Sequence, residues 1–105
     1  MTTYAEVLEG VDLKILRPGS LIDVETTSRH YLIECLGGNA MRISGHPEFC
    51  PAPVRATLQG SVDHRGMFET GVIGPGRRLF FLLDEHIPLK TSSVLSVHVD
   101  LGSAL

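Results

Sequence analysis

His30-Tyr31-Leu32-Ile33-Glu34-Cys35-Leu36-Gly37-Gly38-Asn39-Ala40-Met41-Arg42-Ile43-Ser44 is the stretch whose reading decides the fold. Tyr31, Ile33 and Cys35 share one parity, while His30, Leu32 and Glu34 share the other. Successive side chains of a strand point to opposite faces, so the first set is assigned to the core. Gly37-Gly38-Asn39 supplies residues that tolerate positive φ, and alternation resumes at Met41. Residues 30–44 are therefore predicted to form a β-hairpin.

Toward the N-terminus, Arg17-Pro18-Gly19-Ser20 is a turn signal, followed by the β-rich segment Leu21-Ile22-Asp23-Val24-Glu25-Thr26. Leu13 to Leu16 is read as a short first strand, and Tyr4 to Leu8 as the one stretch that could form a short helix. Toward the C-terminus, residues 45–53 carry Pro47, Pro51 and Pro53 and are expected to form an ordered loop. Val54 to Gly60 alternates again, and after a polar turn from Ser61 to Gly66 a second arm runs from Met67 to Ile73, which predicts another hairpin.

Gly74-Pro75-Gly76 leads into Arg77-Arg78-Leu79-Phe80-Phe81-Leu82-Leu83, an apolar run expected to be a central or interface strand covered on both sides. The last segment, Val94 to Leu101, alternates so as to place Leu95, Val97, Val99 and Leu101 inside and Ser96, His98 and Asp100 outside.

Seven to eight short strands with hairpin-length connections predict an all-β domain spanning residues 1–105. A small closed or nearly closed barrel is the expected architecture, because exposed sheet edges invite aggregation. A two-sheet sandwich is the alternative. At 105 residues and 11.4 kDa, folding removes about 65% of the unfolded chain's surface from water, enough for stability without disulfides.

A net charge of −3 argues against a nucleic-acid partner, since that affinity comes largely from cations neutralising phosphates. No apolar run reaches membrane-spanning length, and Met1 to Glu6 lacks a signal-peptide pattern, so a cytoplasmic protein with no membrane partner is expected. Two cysteines, Cys35 and Cys50, are too few for a disulfide scaffold and are read as thiols.

The loop Gly45-His46-Pro47-Glu48-Phe49-Cys50-Pro51-Ala52-Pro53 holds most of the chemical potential, with His46, Glu48 and Cys50 within five positions. As a metal site it lacks donors, since a structural zinc needs four and the sequence has no CxxC pair. As a thiol nucleophile, Cys50 is followed by Pro51, which has no N–H to offer an oxyanion. Gly74-Pro75-Gly76-Arg77-Arg78 resembles an anion-binding turn through Arg77 and Arg78, although it lacks P-loop order. Asp63-His64-Arg65 and Asp84-Glu85-His86 read as solvated polar turns.

No catalytic residue, cofactor or metal is assigned. The expected function is that of a non-catalytic protein-binding or self-assembly module, its surface supplied by the 79–83 run and outward Leu32. The alternative is a small anion- or metal-binding protein using the 45–53 loop, and the third reading is a thiol-dependent enzyme.

Overall fold

The computed structural model describes residues 4–84 and 86–100. Its strands, in chain order, are β1 (Tyr4–Glu6), β2 (Val11–Asp12), β3 (Leu21–Thr26), β4 (His30–Gly37), β5 (Ala40–Ser44), β6 (Val54–Val62), β7 (Phe68–Glu69), β8 (Val72–Ile73), β9 (Arg78–Leu83), β10 (Ile87–Lys90) and β11 (Val94–Asp100). The domain is all-β; a single 3₁₀ turn, Leu13–Ile15, interrupts the strands among the described residues.

The main sheet runs β1-β11-β3-β4-β5-β6-β9-β10, with β7 also paired to β6, while β2 and β8 form a separate two-stranded ribbon. Neighbouring strands are antiparallel throughout. Inward residues from the path other than β1 meet in one core, including Ile22 and Val24 of β3, Ile33 of β4, Ile43 of β5, Leu58 of β6, Phe81 of β9 and Val97 of β11. The sheet is thus strongly curled, with one face sealed against itself.

The expected closed barrel is not formed by strand pairing. No ladder joins β1 to β10 among the described residues, and the presence of a second small sheet is compatible with the two-sheet alternative. The start of β11 does meet the turn that precedes β9: the Val94 carbonyl accepts from Gly76 N at 2.8 Å and its N–H donates to Arg77 O at 2.8 Å.

The edge strand β10 carries Pro88. Thr91 N donates to Leu79 O, and strand N–H groups alternate sides, so residues 87 and 89 face β9 while residue 88 faces the open edge. Proline there removes a donor that another strand would need.

The 30–44 hairpin forms as β4 and β5, with Ile33 opposite Ile43 and Gly37 opposite Ala40. Four local expectations are corrected. Tyr4–Glu6 is a strand on β11 rather than a helix. Leu13–Ile15 is a 3₁₀ turn rather than a strand, started by Asp12, whose Oδ1 accepts from Lys14 N at 2.9 Å. The 67–73 arm divides, since Phe68–Glu69 pairs with Ser61 and Val62 while Val72–Ile73 leaves to pair with Val11 and Asp12; the long partner of β6 is β9.

Finally, a register shift between Val94 and Ser96 turns Leu95 outward at 55% exposure, whereas Val94, Val97 and Val99 are buried; Asp100 keeps the parity of His98 but is buried rather than exposed. An extra residue in one strand inverts parity on one side of it. Leu101 falls outside the described residues.

Candidate functional site

Residues 45–50 form a miniature closed turn rather than an open loop. Gly45 N donates to Cys50 O and Cys50 N to His46 O, each at 2.9 Å. His46 Nδ1 accepts from Glu48 N at 3.1 Å and Phe49 N at 3.2 Å, which places the ring proton on Nε2 and spends the imidazole on the backbone. Its ring also packs on Phe49, centroids 4.7 Å apart.

Gly45 is forced by space as well as by its φ of 130°. An added Cβ would overlap the His30 carbonyl oxygen and lie 3.0 Å from Tyr31 Cα. This close approach clamps the turn onto β4.

Cys50 is fully buried in the core. Burial pushes its thiol pKa up, and a backbone hydrogen bond at His46 only partly offsets this. Cys35 is buried likewise, its pKa raised by burial and then by Glu34. Both are free thiols. A reactive thiol needs a stabilised thiolate, and these surroundings oppose one. Glu48 is exposed on the turn. Among the described residues, no three of His, Cys, Asp or Glu gather as a metal site.

The Gly74–Arg78 turn separates its two arginines. Arg77 Nη2 donates to Glu69 Oε1 at 2.6 Å and Nη1 to Ser61 Oγ at 3.3 Å, with the Arg77 side chain only 16% exposed. Arg78 sits one position on, exposed on the outer surface opposite Val62, and its side chain forms no hydrogen bond or ion pair among the described residues.

Around Arg78 lies a cleft of 330 Å³, whose walls include Phe80, Lys90, His64, Asp63 and Ser93. Phe80 is its aromatic lining residue, with Lys90 Nζ 5.4 Å from the ring centroid, within cation–π range, and Phe68 tilted against the same ring at 6.3 Å.

Gly60 makes this aromatic pair possible, because an added Cβ would overlap Phe68 Cζ and sit 2.6 Å from the Glu69 carbonyl. Phe68 therefore lies across a glycine-sized gap in β6. Asp63, also in the wall, is turned toward its own loop: its Oδ1 accepts from Arg65 N at 2.8 Å and Met67 N at 3.0 Å, and Arg65 Nη2 lies 3.7 Å from Oδ2. The Met67 amide, followed by that of Arg65, holds the Asp63 carboxyl below its usual range despite a counteracting desolvation.

No known protein family, curated protein or solved structure matches this chain. The site therefore rests on its own geometry.

Of the sequence-selected residues, His46, Glu48 and Cys50 share one turn with Cys50 in the core and Glu48 in water, and Arg77 and Arg78 are driven apart. Sequence reading missed Phe80, Phe68 and Lys90 as neighbours of Arg78. Arg78 and Phe80 do share strand parity, which was a usable signal. Lys90 had none, because the strand Ile87–Lys90 has no clean alternation.

Proposed function

We propose that this chain is a non-catalytic protein-binding module acting through the outer surface of β6, β7, β9 and β10. The observation that carries the reading is the pair Met67 and Phe68, exposed at 62% and 53% at the start of β7, where Phe68 packs on Phe80 of the Arg78 cleft. Large apolar side chains held in water next to unpaired cations suit an interface with an aromatic anchor and a polar rim.

The expected 79–83 surface is narrower than the run suggests. Leu79, Phe81 and Leu83 belong to the core, so only Phe80 and Leu82 face outward. Leu32, half exposed on β4, offers a second apolar spot beside the contact between Asp23 and His30. The approach of Gly76 and Arg77 to Val94 supports reading the curled sheet as a nearly closed barrel. Two free, buried thiols suit a reducing compartment such as the cytoplasm.

Sedimentation velocity over a range of concentrations, together with affinity capture by the tagged chain, tests the module reading. It expects self-association, or a saturable partner identified by mass spectrometry, that is lost in Met67→Ser plus Phe68→Ser. A strictly monomeric chain whose captured proteins are the same in wild type and variant overturns it.

A further inference from the structure

We infer that the Arg78–Lys90 cleft is the receptor for an acidic, aromatic-containing segment of a partner protein, an inference that rests on the binding-module reading and names the ligand chemistry. Arg78 and Lys90 are the cations of the cleft without an ion-pair partner among the described residues, whereas Arg42, Arg65 and Arg77 are each paired with Glu34, Asp63 and Glu69. Among the described residues the carboxylate in the cleft wall, Asp63, is paired with Arg65, so Arg78 and Lys90 leave the cleft with an excess of positive charge on a chain whose net charge is −3.

Geometry favours a peptide over a free oxyanion. Lys90 is opposite Phe80 in the β9–β10 ladder, and Arg78 lies two residues from Phe80 on the same face, so the cations are diagonal neighbours with Cα atoms about 7–8 Å apart. The two cations thus lie beside the aromatic pair Phe80 and Phe68, which suits a segment that carries both carboxylates and an apolar side chain. Phosphate-binding turns instead aim several backbone N–H groups at the ligand. Here Gly76 N donates to Val94 O and Arg77 N to Gly74 O, so the turn has spent those donors internally. Pro88 on the open edge of β10 also disfavours strand addition, leaving the outer face as the docking surface.

Fluorescence anisotropy with a fluorescein-labelled Glu-Phe-Glu-Phe-Glu peptide tests this, with Lys-Phe-Lys-Phe-Lys as the charge control and inorganic phosphate as competitor. The acidic peptide is expected to bind preferentially and to weaken with added salt, and Arg78→Ala plus Lys90→Ala should reduce its affinity by about tenfold or more. Arg78→Glu plus Lys90→Glu should reverse the preference toward the basic peptide, a gain that misfolding cannot produce.

Equal binding of both peptides, unchanged affinity in the alanine variant, or displacement by phosphate at concentrations comparable to the peptide overturns the inference. So does a homodimer dissolved by the alanine variant, which would make a second copy the occupant. If the peptide fails to bind while a Met67- and Phe68-dependent partner persists, only the acidic-ligand inference falls; loss of both removes the module reading too.

Discussion

Arg77 and Glu69 are joined at 2.6 Å across the base of β7, with Ser61 Oγ 3.3 Å from the same guanidinium, while the adjacent Arg78 faces solvent. Two consecutive arginines thus have opposite duties. One ties the β8–β9 turn to β6 and β7, and the other is free to meet a ligand.

Arg77→Ala should therefore destabilise the domain by about 1–2 kcal/mol, chiefly through lost packing of a mostly buried side chain and the lost Ser61 contact, since the half-exposed Glu69 partner is screened by water. Arg78→Ala should change stability by no more than about 0.5 kcal/mol. Urea unfolding of the two variants checks the contrast, and equal midpoints would contradict it.

Stability should fall at alkaline pH. Burial raises the folded-state pKa values of Cys50, Cys35 and Tyr31 above their ordinary values of 9.0 for the thiols and 10.0 for the phenol. In this direction the folded state binds protons more tightly than the unfolded one. The contribution is whole below the ordinary thiol range and is lost as pH rises above it toward the folded values. Thermal unfolding across that range should show the decline, and Cys35→Ala plus Cys50→Ala should make it shallower at its onset while lowering stability at neutral pH.

Gly45→Ala should be among the most damaging single-methyl changes in the chain. Its Cβ would overlap the His30 carbonyl, a backbone atom that cannot swing away, at a φ of 130°. A loss of at least about 3 kcal/mol is expected from strain plus the displaced turn. Differential scanning calorimetry measures it, and a melting temperature equal to wild type would refute the close approach.

The register shift in β11 makes a parity test available. Leu95→Ser should be tolerated within about 0.5 kcal/mol, because the side chain is largely in water. Val97→Ala, at a fully buried position, should cost about 2 kcal/mol through lost burial and a residual cavity. The reverse ranking in chemical denaturation would place the shift elsewhere.

The parts of the fold that could be read directly are those governed by local rules. The period of two over His30 to Cys35 assigned Tyr31, Ile33 and Cys35 to the core, and all three are buried. Residues 67–73 were harder, because alternation shows that an arm is extended without showing which strand accepts it; Val72 and Ile73 go to Val11 and Asp12, some sixty positions earlier in the chain. The candidate site divides in the same way. Arg78 was visible as a cation after a glycine turn, but its closeness to Lys90 required the pairing of β9 with β10.

By itself the sequence determined the all-β class, the β4–β5 hairpin and the turn-forming character of residues 45–53, since side-chain alternation, glycine freedom and proline geometry act within a few residues. Only the tertiary structure decided the open path of the sheet, the outward Leu95, the sealing of Cys50 and the separation of Arg77 from Arg78. Each depends on contacts between distant segments, and a single inserted residue reverses every side chain beyond it.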